Sequence, residues 1–189
     1  MMSKSYLKLP FKKFAKQNGV FDILIYGSAV KGKEKPRDTD ILLVFLDKKL
    51  GERLAIAQKF KQVVKTKVKN PDVKTINLSE LFESNFLARQ GILVEGYSLL
   101  HKTSLSKRLG FEGYALFTYN LKNLNHNEKT KFTYSLIGRR GDGMVKNVKG
   151  KALGKGAVII PIENSLIFED FLKKWSLDYT GKKILVSLL

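Results

Sequence analysis

The run Asp22-Ile23-Leu24-Ile25-Tyr26-Gly27-Ser28-Ala29-Val30-Lys31-Gly32-Lys33-Glu34-Lys35-Pro36-Arg37-Asp38-Thr39-Asp40-Ile41-Leu42-Leu43-Val44-Phe45 decides how this chain is read. An apolar strand ends in a small turn, a basic loop with Gly and Pro follows, and a second apolar strand opens on two carboxylates. Alternate side chains of a strand share a face, so Asp38 and Asp40 are expected to project the same way. Glycine at 27 lets the backbone approach an anion with no Cβ in between. Ser28 offers a hydroxyl, the turn offers backbone N–H groups, and a helix beginning near Ser28 would add its positive end. Two carboxylates beside such a corner suit Mg2+ held against phosphates. A lone Gly-Ser carries little, and a lone Asp-x-Asp is commonly a solvated strand end. The combination with two apolar strands and a basic loop is what points to a nucleotide.

This pattern resembles the signature of the DNA polymerase β-like nucleotidyltransferase superfamily, in particular its minimal nucleotidyltransferases: Gly-Ser, a short loop, then Asp-x-Asp. The resemblance spans residues 20–100, and Ile92–Leu99 resembles the helix-to-strand end of that module. It implies an Mg2+-dependent enzyme, with two ions, that moves a nucleoside monophosphate from a triphosphate, ATP foremost, to an acceptor hydroxyl. Asp38 and Asp40 take the metals, while Gly27, Ser28 and Lys31 take the triphosphate. A third carboxylate completes such a site; Asp72, ahead of the apolar run Val73–Leu78, is the first choice. Thr75 or Asn77 would be poor ligands in its place, and Glu80 and Glu95 are weaker candidates. The acceptor, gripped by a basic C-terminal domain, is expected to be RNA. Two alternatives stand beside it: a catalytically silent nucleic-acid binder on the same scaffold, and a transferase that modifies a protein partner, as minimal members paired with toxins do.

Composition bounds the rest. The 189 residues contain no cysteine and two histidines, His101 and His126, which excludes thiolate chemistry and argues against a histidine-rich zinc site. No apolar run is long enough to span a membrane, and the first ten residues lack a secretory apolar core, so a cytoplasmic protein is expected. The charge is lopsided: 35 Lys and Arg against 17 Asp and Glu leave +18. Ion-pair networks would need balanced signs, so the excess points to a polyanionic partner.

Along the chain, the patterns predict a helix from Pro10 to Asn18, strands at 21–26 and in the run to Phe45, and a helix over 51–69 with Ile56, Ala57, Phe60, Val63 and Val64 inward. Asn70-Pro71-Asp72 reads as a turn. A strand at 73–78, a helix at 79–91 capped by Ser79 and a strand at 92–100 close a nucleotidyltransferase-type α/β (α+β) domain, residues 1–105, with a mixed sheet and flanking helices. Residues 101–110 read as a linker with a helical turn. Residues 111–189 are expected to form a smaller basic ferredoxin-like βαββαβ domain. Its strands are Tyr114–Tyr119, Met144–Val148, Ala157–Ile162 and Lys183–Leu188, and its helices run from Asn127 to Ile137 and from Asn164 to Trp175.

The glycine-rich loop Gly138-Arg139-Arg140-Gly141-Asp142-Gly143 sits in a stretch, Lys129 to Lys155, with eight basic residues and one acid. Arg139, Arg140, Lys146 and Lys151 are the candidate nucleic-acid contacts there. Tyr134 is placed to stack on an unpaired base, whereas Phe132 reads as core.

Overall fold

Apolar runs as dense as Ile23–Ile25 and Ile41–Phe45 must be covered on both faces, as in the central strands of layered α/β sheets. The computed structural model describes residues 10–31 and 37–188. The chain forms two compact units, Met1–Gly110 and Phe111–Leu189.

In the first unit, β1 (Asp22–Tyr26) runs antiparallel to β2 (Thr39–Phe45), which runs parallel to β3 (Pro71–Asn77). The short strands β4 (Tyr97–Ser98) and β5 (Thr103–Ser104) complete a mixed sheet in the order β3-β2-β1-β4-β5. On one face, α1 (Phe11–Asn18) and α2 (Leu50–Val64) bury Phe11, Ala15, Ile56, Ala57, Phe60 and Val64 against Ile23, Ile25, Ile41 and Leu43. The inward positions of α2 recur at the helical period, but Val63, expected inward, is exposed. On the other face, Leu24, Leu42, Val44 and Ile76 are covered by Leu81 and by Ile92 of α3 (Arg89–Glu95). The mixed sheet between helices agrees with the expected class.

The crossover from β2 to β3 differs in detail. The helix expected to reach residue 69 ends at Val64, and Pro71 and Asp72 pair in β3 instead of forming a turn. The helix expected over 79–91 is reduced to a 3₁₀ turn, Ser79–Phe82, and the start of α3, and the strand expected at 92–100 is reduced to β4, because the run from Ile92 to Glu95 ends α3. Gly96 explains that stop: its N–H closes on the Ile92 carbonyl at 2.8 Å, and a Cβ there would lie 2.4 Å from the same oxygen. The segment read as a linker carries β5 and α4 (Leu105–Arg108). Arg108 donates to Asp22, a buried carboxylate that also accepts from Ser98 Oγ at 2.7 Å. That contact ties α4 and β4 to the start of β1.

The second unit runs β6 (Phe111–Tyr119), α5 (His126–Ile137), α6 (Met144–Asn147), β7 (Lys151–Gly154), β8 (Ala157–Pro161), α7 (Ser165–Lys174) and β9 (Tyr179–Ser187). Its sheet is antiparallel in the order β7-β8-β6-β9. The cap of α5 is Asn125, not Asn127, and forms a reciprocal box with Glu128. Met144–Val148, expected as a strand, contains α6, and the second strand falls at Lys151–Gly154. Phe132 is core, as read, packed against Tyr119, Phe171 and Trp175.

Candidate functional site

The end of β1 turns sharply. Gly27 adopts φ +74°, a conformation that costs other residues strain. Residues Gly27–Ala29 form one 3₁₀ turn closed by Val30 N–H to the Gly27 carbonyl, so the helix expected near Ser28 is a single short turn. The close neighbour is Asp40: a Cβ built on Gly27 would fall 2.6 Å from Asp40 Oδ2. The sequence signature therefore has a steric meaning, since the glycine leaves room for this carboxylate.

Register brings the acids together. Tyr26 pairs with Asp40 across β1 and β2, and Asp40 pairs with Asp72 across β2 and β3. Register partners lie on the same face of a sheet, so Asp72 stands beside Asp40. Thr75 alternates to the other face, and Asn77 is held at the far end of β3 by both polar atoms of the Lys48 backbone. Asp38 precedes the strand, which starts at Thr39, so the alternation argument does not reach it; it is exposed. Its charge is nevertheless felt by Asp40. The Asp40 carboxyl is pushed above the ordinary aspartate range, first by burial and then by the negative charges of Asp72, Asp38 and Glu95, with Lys74 opposing.

Lys74 is the residue that reading the sequence missed. Its Nζ lies 3.4 Å from Asp72 Oδ2, and its pKa is raised by Tyr26 first and then by Asp72. The signal was available, because Lys74 is two residues beyond Asp72 and so on its face. Lys31, expected to meet phosphate, pairs with the buried Glu95 at 3.3 Å and pins the turn to the end of α3. The basics Lys33 and Lys35 lie outside the described residues, and Arg37 is exposed, its carbonyl accepting from Asn70.

Among the described residues, no group of three or more His, Cys, Asp and Glu side chains is assembled to hold a metal. What is present fits a single hard cation: oxygen donors on Asp40 and Asp72, in a space that a Cβ at Gly27 would fill, with phosphate oxygens and water left to complete the shell.

Glu80 is structural. Arg53 of α2, itself buried, grips it with two hydrogen bonds of 2.8 Å, and Asn77 N–H adds a third. The Arg53 hydrogen bonds hold its carboxyl below the usual glutamate value. A depressed carboxylate contributes stability above its unfolded pKa and loses it as pH falls through the folded one. Glu80→Gln is therefore expected to cost about 2 kcal/mol at neutral pH. In denaturant titrations that difference should shrink to nothing on acidification below the ordinary glutamate range.

In the second unit the expected basic loop is partly self-engaged. The Arg139 guanidinium sits 5.0 Å from the centre of the Tyr134 ring, and Lys146 pairs with Asp142 at 2.7 Å. Arg140 and Lys151 are exposed.

No protein-family model matches the chain, and no curated protein matches it. Several solved structures are similar to part of it, among them the following three. A toxin–antitoxin with AMP-PNP is 19% identical over 51% of this chain and 73% of that one, with a TM-score of 0.37. The tri-AMPylated Shewanella oneidensis HEPN toxin in complex with MNT antitoxin gives 22% identity over 52% and 71%, with a TM-score of 0.34. A mutant of the toxin–antitoxin MntA-HpeT gives 17% over 47% and 68%, with a TM-score of 0.35.

Proposed function

We propose that the chain is a divalent-cation-dependent nucleotidyltransferase that moves a nucleoside monophosphate from a triphosphate, ATP foremost, to a hydroxyl of an RNA acceptor. One observation supports this above the others: Asp40 stands between its register partner Asp72 and a glycine corner in which a Cβ would lie 2.6 Å from its carboxylate. In this reading Asp40 and Asp72 would hold Mg2+, with the charge of Asp38 nearby, and a bound ion would supply charge neutralisation at the triphosphate. Ser28 Oγ and the turn N–H groups hold phosphate oxygens. Lys74 fixes Asp72, and Asp72 takes the proton from the attacking hydroxyl. The new bond joins that oxygen to the α-phosphorus, and the bond from the α-phosphorus to the bridging oxygen breaks, releasing pyrophosphate.

In the same reading residues 1–110 are the catalytic domain. The second unit is a ferredoxin-like accessory domain, a reading supported by its antiparallel sheet with β6 and β8 central. The test is incubation of the full chain with each α-labelled triphosphate, Mg2+, and either total RNA or a protein extract. Label should move to RNA and be lost with chelator. Label on protein alone would replace the acceptor, and no label on either would remove the enzyme reading.

A further inference from the structure

Most of the net positive charge lies outside the unit that holds the basic loop. Residues 1–110 carry 22 of the 35 Lys and Arg but only 10 of the 17 Asp and Glu. Part of that excess is organised. A groove of about 670 Å3 runs along the C-terminal half of α2 and ends at the start of β3, lined by Gln58, Lys61, Gln62, Lys65, Lys69 and Asp72. Positions 58, 61, 62 and 65 follow the i, i+3, i+4, i+7 rule and form one helical stripe. Lys61 and Lys65 are one turn apart, about 6 Å along the axis. None of the three lysines is in an ion pair among the described residues.

We propose that this groove is the track for a single-stranded RNA, whose backbone lies along Lys61, Lys65 and Lys69 and reaches the edge of the sheet at the start of β3. Binding in the groove does not depend on the transferase reading, because Asp72 lines its end while Asp40, the register partner of Asp72, shares the sheet face of Leu42, opposite α2. Lys61 and Lys65, one turn apart, meet successive phosphates of one strand and Lys69, beyond the helix end, meets a third, which gives affinity without sequence preference. The intervening glutamine amides both donate and accept, as the ribose 2′-hydroxyl does, and this favours RNA over DNA. A protein partner fits less well. Protein interfaces are anchored by aromatic and large apolar side chains, and the apolar lining here, Val68 and Pro71, is already buried.

The test is anisotropy of a labelled single-stranded RNA with the full chain, without triphosphate or divalent cation, over a salt series. Lys61→Glu/Lys65→Glu/Lys69→Glu should weaken binding at least about tenfold and flatten the salt slope by about 2, the loss of three phosphate contacts. Lys12→Glu/Lys13→Glu/Lys16→Glu on α1 makes the same change in net charge and should have much less effect. The corresponding glutamine triples, matched in melting temperature, cover the case in which charge reversal unfolds the chain. Equal losses in the two triples, or loss only with Arg139→Glu/Arg140→Glu, would overturn the groove. A DNA strand of the same sequence bound equally well would overturn the RNA assignment. Asp40→Asn should bind RNA normally, so a chain that binds through the groove but never transfers label would sink the enzyme and leave the track standing.

Discussion

Gly27→Ala is expected to slow nucleotidyl transfer about a hundredfold, the usual consequence of displacing a reacting group by an ångström. Two separate effects act at this position. The backbone has φ +74°, which costs alanine about 1–3 kcal/mol of fold stability. The added Cβ falls 2.6 Å from Asp40 Oδ2, and the end of that side chain can swing away at little cost in stability. The carboxylate would yield and the activity would go with it. Urea titration and transfer rates measured on the same variant separate the two effects. In an Asp40→Asn background the stability cost of alanine should persist while its effect on rate disappears. A Gly27→Ala variant with wild-type transfer would show that the corner has no part in the chemistry.

The corner and its two strands were legible because their signals are local: five- and seven-residue apolar strands, with a glycine between them. Signals that need a partner were not. Ile92-Leu93-Val94 is apolar enough for a strand and too short for periodicity to decide, and only its packing on Leu24 and Leu42, with Gly96 ending it, makes it helical. Met144–Val148 failed for the same reason. Val145 and Val148 are both buried, three apart, as a helical turn requires, whereas β7 has no buried residue and so no alternation to read.

The site divides along the same line. Asp40 and Gly27 follow from their own neighbourhood. Asp72 was reached as a candidate, but its place depends on the parallel register of β3 on β2, which the length of α2 and the turn after it set. Lys31 shows the opposite failure. A lysine four residues past the glycine looks free to meet phosphate until the fold brings the buried Glu95 within 3.3 Å of it. Glu80 likewise stood only as a weaker ligand candidate, because nothing near it in sequence announces Arg53.

Asp40→Asn should separate activity from stability most sharply. Transfer is expected to fall about a thousandfold, since the amide cannot supply the negative charge that holds the cation and the developing transition state. Fold stability should move the other way. Burial and the charges of Asp72, Asp38 and Glu95 raise the Asp40 pKa, so the folded chain holds that proton more tightly than the unfolded one does. The contribution of Asp40 is favourable below its unfolded pKa and is lost as pH rises through the folded value. At neutral pH the ionised carboxylate is a burden that asparagine lacks, and the variant should gain about 1 kcal/mol. The gain should vanish on acidification, where the wild-type carboxyl is itself neutral. An Asp40→Asn protein that loses stability at neutral pH would mean that Lys74 outweighs the three acids. The carboxylate would then be half of an ion pair, with no vacant charge to offer a cation.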